Sequence, residues 1–112
     1  MKAPQTDRRM ALEGRVTTPD GAGGFVAGWQ KRGELWAAFA PAQMGTGQEA
    51  GQPSAAPRYR VTLRAAPVGS PRRPVAGERL VEGARRFDIL AVSESALGAG
   101  WLTLLVEEEV MR

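Results

Sequence analysis

Apolar and polar residues alternate with a period of two through most of this chain. The clearest case is "RYRVTLRA", which puts Tyr59, Val61, Leu63 and Ala65 on one side and Arg58, Arg60, Thr62 and Arg64 on the other. That pattern predicts a half-buried strand. "GFVAGWQKR" alternates Phe25, Ala27 and Trp29 against Val26, Gly28 and Gln30, and "ELWAAFAPA" follows after Gly33. The two read as a hairpin with a short turn near Arg32–Glu34. "RRFDILAVS" and "WLTLLVEEEV" are apolar on both sides for part of their length, as in strands covered on two faces. "LEGRVTT" and "ERLVEG" are shorter candidates. The expectation is an all-β sandwich or small barrel of about six or seven short antiparallel strands, punctuated by Gly and Pro.

Helix signals are scarce. "GQEAGQPSAA" is the best candidate, yet Gly51 and Pro53 interrupt it, and "ESALGAG" has room for a single turn before Gly98. The polar lead, residues 1–9, is expected to be frayed, with one domain over residues 10–112. The segments 43–57 and 66–77 read as long loops, which cost backbone entropy and return little burial. A core this lean predicts stabilisation by neighbours in an assembly.

Composition excludes more than it proposes. The chain has no Cys and no His, which removes disulfides, thiol nucleophiles, the common zinc sites and the usual general base. The start lacks the apolar core of a signal peptide, and the longest apolar runs are too short for a membrane helix, so a soluble cytoplasmic product is expected. Net charge is +3 but unevenly spread. Residues 58–86 hold eight Arg against two Glu, whereas residues 88–109 hold five acids and no base. That imbalance predicts a subunit with two differently charged faces.

Each chemical motif has a plainer alternative. In "TTPDGAGGFVAGW" the spacing from Gly23 to Gly28 imitates a phosphate loop, but Trp29 and Gln30 stand where Lys and Ser or Thr are required, and a strand follows instead of a helix. "PDGAGG" is therefore read as a turn capped by Asp20. Glu107, Glu108 and Glu109 are consecutive, so on a strand they point to alternate sides and make a poor metal cluster. Ser93 and Ser95 have no base to activate them. No cofactor, metal or catalytic residue is expected, and the chain is read as a non-enzyme. Trp29, Trp36 and Trp101 are read as core or interface anchors. Arg58, Arg60 and Arg64 form a stripe that grips phosphates, grips a partner's carboxylates, or is simply solvated. The absence of an evident platform of exposed aromatics beside them argues against single-strand nucleic-acid binding.

The order of these signals, "LEGRVTT", "PDGAGGFVAGW", "LWAAFAPAQ" followed by "GQEA", "YRVTLRA" and "ERLVEGARRFDILAV", resembles the phage head–tail joining family. These are the small head-closure or stopper proteins of long-tailed phages and gene transfer agents. The resemblance spans roughly residues 10–110, and it departs from the family where "AGQPSAAP" replaces a segment that is often helical. It implies a β-barrel that assembles as a homo-oligomeric ring, hexameric or dodecameric, in the particle neck. Implied partners are a portal-bound adaptor and tail proteins, with packaged DNA retained in the channel and no membrane or cofactor.

Two site expectations rest on that reading. Arg58, Arg60 or Arg64 of one subunit meets Glu107, Glu108 or Glu109 of the next, as a head-to-tail contact requires. The loop containing Gln43, Gly45, Gly47, Gln48, Glu49 and Gln52 reaches the channel or the adaptor. The rival reading is a free-standing nucleic-acid-binding barrel of the OB type, with the arginine strand as its groove floor.

Overall fold

The computed structural model describes residues 5–42 and 56–110. Six strands account for nearly all regular structure: β1 (Arg8–Pro19), β2 (Phe25–Pro41), β3 (Arg58–Arg64), β4 (Arg79–Glu82), β5 (Arg85–Glu94) and β6 (Trp101–Glu108). All pairings are antiparallel, and the sheet closes as a barrel in the order β1-β2-β3-β6-β5-β4. Closure depends on the short β4, which joins β5 on one side and Ala11–Glu13 of β1 on the other. A closed barrel leaves no long edge to recruit a stray strand.

The expected turn at Arg32–Glu34 does not exist. "GFVAGWQKR" and "ELWAAFAPA" form one strand of 17 residues, so six strands appear where the punctuation counted up to seven. Leu12 pairs with Gly33 while Glu13 pairs with Lys31, leaving Arg32 as the extra residue of a bulge. The lone glycine marks a bend in a continuous strand. β1 starts at Arg8, ahead of Met10. Ser95–Gly100 is a pair of turns with no helix, closed by Gly98 N–H donating to Ser95 O. The breaker-rich helix candidate lies largely outside the described residues.

The inward residues of the alternating strands meet in one core: Met10 and Leu12, Ala37, Val61 and Leu63, Leu80, Phe87 and Ile89, and Leu102, Leu104 and Val106. At one mouth of the barrel the inward positions become Arg8, Glu82, Arg85 and Glu108. Arg8 donates twice to Glu82, and Arg85 donates twice to Glu108. These two forks lie against the edge-to-face aromatics Phe39, Tyr59 and Phe87, with the Arg8 guanidinium 4.0 Å from the Phe39 ring centroid. The arginine forks hold the Glu82 and Glu108 carboxyls below the ordinary glutamate range.

At the opposite mouth, β1 and β2 outrun the barrel. From Gly14 and Gln30 to Pro19 and Phe25 they pair only with each other. Seventeen residues at ~3.3 Å each come to about 56 Å of strand, comparable with the longest molecular dimension of 55 Å. The ribbon closes through "DGAGG", where Asp20 Oδ1 accepts from the N–H groups of Ala22 and Gly24. Those bonds hold the Asp20 carboxyl below its ordinary range, and Gly21 and Gly23 take φ of 83° and 88°. The turn reading of the glycines therefore stands, with no helix behind them.

Candidate interaction surface

The outer face of the barrel across β2, β3 and β6 is laid out by register. One row holds Ala40, Arg60 and Leu105, and the next holds Ala38, Thr62 and Thr103. Arg64 pairs with Trp101 in the following row, where its guanidinium lies 4.2 Å from the indole centroid. Trp36, one residue before inward Ala37, faces outward beside them and is 56% exposed. Small residues keep the middle of this face flat. Two tryptophans and two arginines stand above it.

The structure therefore overturns one expectation. An exposed aromatic does accompany the arginine stripe, because β2 and β6 flank β3 and carry Trp36 and Trp101 outward. Sequence reasoning missed this because the three residues are distant along the chain. The outward phase of "LWAAFAPA", in which Trp36 opposes Ala37, was the available signal. Tyr59 does point inward, into the aromatic cluster.

The acidic end of β6 lies next to the basic strand. Arg58 pairs with Glu107 in register, its Nε–H donating to Glu107 Oε2 at 2.9 Å. Glu108 takes the Arg85 fork, and Glu109 stands 3.9 Å from Arg79. The three glutamates thus have cationic partners within the chain, and β3 and β6 are neighbours instead of opposite flanks. No carboxylate lies within ion-pair distance of Arg60 or Arg64 among the described residues. The six loop residues Gln43, Gly45, Gly47, Gln48, Glu49 and Gln52 lie outside the described residues. Their segment leaves from Ala42, whose N–H donates to Arg58 O, at the mouth capped by the arginine forks.

A second feature lies across the barrel. Arg15, Trp29, Glu78, Arg79, Asp88 and Glu109 line an open cleft of about 540 Å³ between the β1–β2 ribbon and β4–β5. Arg79 is taken up by Glu13 at 2.7 Å and stacks 4.0 Å from the Trp29 centroid, while Arg15 lies 5.3 Å from the same ring. Glu78 faces Arg32 at 3.0 Å, at an angle that makes an ion pair without a hydrogen bond. Asp88 has no ion-pair partner among the described residues. Burial, then the Glu109 carboxyl beside it, pushes its acid up to about 6. Around the closed sheet β4 is three strands from β3 in either direction and β5, which carries Asp88, is two, so the cleft and the Trp–Arg face are separate surfaces of the barrel.

Two outward apolar residues expected to be covered are not. Leu90, the extra residue of a bulge in β5, is 41% exposed, and Leu105 is only half-buried. Among the described residues no group of three or more Asp or Glu is arranged to hold a metal ion.

Comparison with known proteins agrees with this geometry. A search of curated proteins finds no match. A solved chain from the "virion of native gene transfer agent (GTA) particle" is 38% identical, with a TM-score of 0.77, covering 96% of this chain and 98% of that one. Protein SF1141 from Shigella flexneri 2a shares the fold across the full length of both chains, with a TM-score of 0.72 and 19% identity. The family model for the phage head completion protein matches residues 1–109. This chain belongs to the phage head completion protein family.

Proposed function

We propose that this chain is a structural head–tail connector, a stopper that sits as a homo-oligomeric ring in the neck of a phage-like particle or gene transfer agent. In that place it retains packaged DNA, seats on a portal-bound adaptor and presents a docking surface to the tail. The observation that carries the reading is 38% identity, over nearly all of both chains, to a component of a gene transfer agent virion. Its geometry is compatible with the role. The barrel is closed and capped by paired charges at one mouth, while apolar and aromatic side chains remain outward on its flanks. The segment containing Gly45 to Gln52 is the reading's candidate for contact with the channel or adaptor.

The test is particle assembly with the gene deleted. The expected result is filled heads that lose DNA and carry no tail, with rescue by the intact gene. DNA-retaining, tailed particles without this chain would overturn the reading. Deleting Gly45 to Gln52 alone is expected to give the same leakage.

The exposed Trp36 beside Arg64 keeps a second reading alive, a nucleic-acid-binding barrel. Among the described residues the face around Trp36 brings together two uncompensated arginines, Arg60 and Arg64, few for that task, since phosphate-driven affinity grows with each cation engaged and strong binders commonly use about six to ten. Salt-dependent binding of the isolated chain to short oligonucleotides would favour this second reading.

A further inference from the structure

We propose that the outer face of β2–β3–β6, centred on Trp36, Arg60, Arg64 and Trp101, docks head-to-tail onto a second copy of this chain, in the cleft that contains Asp88. The inference rests on the connector reading and adds the two surfaces that meet.

The face has the makings of an interface centre. Tryptophan and arginine dominate binding energy where they stand on a flat, desolvatable ground, here Ala38, Ala40, Thr62 and Thr103. Arg60 and Arg64 are four residues apart on one strand, about 13 Å, and neither is neutralised within the described chain. The stack of Arg64 on Trp101 holds its guanidinium in place before contact, which lowers the ordering cost. The uncharged row between the two arginines does not form a continuous positive track for a phosphate backbone. A protein surface with discrete carboxylates fits it better.

The cleft supplies that chemistry. Arg79, opposite Asp88 in the register, donates to Glu13 instead, and Asp88 makes no ion pair among the described residues; Arg15 lies over the Trp29 ring. Asp88 sits beside Glu109 and opposite Glu107 in the sheet register, a crowding of acids that an incoming guanidinium relieves. Exposed Leu90 lies on the cleft wall, where it gains cover from a docked copy. Because cleft and face are separate surfaces of the barrel, one contact leaves both copies with a free site, which is the condition for a ring or an open chain of copies.

The absence of cysteine makes the test clean. Arg64→Cys and Asp88→Cys are placed in the same chain and treated with a short bismaleimide, which spans the length of an ion pair where a disulfide does not. Both the purified protein at high concentration and assembled particles are treated. A ladder of cross-linked multimers from the double variant, absent from either single variant, is the expected result in at least one preparation. A pair built on Arg60→Cys with Glu109→Cys gives the same readout should the first pair misfold. Dimers from Arg64→Cys alone would mean a face-to-face contact and overturn the proposal. So would the lack of any ladder from both pairs in both preparations, or loss of oligonucleotide binding as the main effect of Trp36→Ala. Particles that contain the chain yet give no ladder defeat this contact while leaving the connector reading intact. A ladder from purified protein that is absent from particle necks does the reverse.

Discussion

Arg58 donates to Glu107 of its own chain at 2.9 Å, in register across β3 and β6. A pair that looked suited to bridging subunits is therefore already satisfied inside one of them. Both side chains are partly exposed, so the bond contributes little to folding, about 0.5 kcal/mol or less after solvent screening. Arg58→Ala is expected to shift the thermal midpoint by no more than a few degrees. Particle assembly should tolerate it, whereas charge reversal at Arg60 and Arg64 together should not. Infectivity or transduction of the two variants, measured side by side, checks the contrast.

The two kinds of acid in the molecule respond to pH in opposite directions. Asp88, pushed up to about 6 by burial and Glu109, is protonated more readily folded than unfolded. Its contribution is fully present below the unfolded value near 3.8 and is lost as pH rises through about 6. Asp88→Asn is expected to flatten that loss and to raise stability at pH 7 by about 1 kcal/mol. Denaturant titrations at pH 4 and pH 7 provide the comparison.

Glu82 and Glu108 behave the other way. Their hydrogen bonds to Arg8 and Arg85 lower the carboxyl pKa values, so their contribution is present above about 4.5 and is lost as pH falls through the lowered values. Acid unfolding of Glu108→Gln is expected to be shallower with pH than that of the parent. Equal acid sensitivity in the two proteins would count against the role of the capped mouth.

Gly14 lies directly under the Arg32 guanidinium. A Cβ at position 14 would stand 2.7 Å from Arg32 Cζ. The guanidinium is the far end of a flexible side chain and can swing aside, but doing so gives up its ion pair with Glu78 at 3.0 Å. Gly14→Ala is expected to cost about 1 kcal/mol or less, below a rigid overpacking clash. Arg32→Ala made in the same chain should return part of that cost, which a double-mutant cycle measures.

Phe87 and Trp36 give the sharpest contrast among the aromatics. Phe87 is fully buried against Phe39 and Tyr59, and Phe87→Ala is expected to cost about 3–5 kcal/mol, enough to threaten a small domain. Trp36 is mostly exposed, so Trp36→Ala should change folding stability by less than about 1 kcal/mol. Chemical denaturation of the two variants separates core from surface.

Alternation along "RYRVTLRA" and the apolar run of "WLTLLV" were enough to read the all-β class, the two faces of β3 and the inward phase of Tyr59, Val61 and Leu63, because a strand's side-chain period is a local property. The turn at "PDGAGG" was legible for the same reason, as Asp20 and the glycines act within five residues. Merging two segments through Gly33 into one long β2 was not legible, since a turn and a bulge ask for the same residue, and the choice lies with the partner register of β1. The sheet order was equally beyond local pattern. Only closure of the barrel puts Arg58 beside Glu107, sets Trp36 and Trp101 around Arg64, and places Asp88 in a separate cleft with Trp29 and Arg15. Charge counts along the chain identify which residues are available to pair, but pairing itself depends on three-dimensional distance, and that is decided by which strands meet.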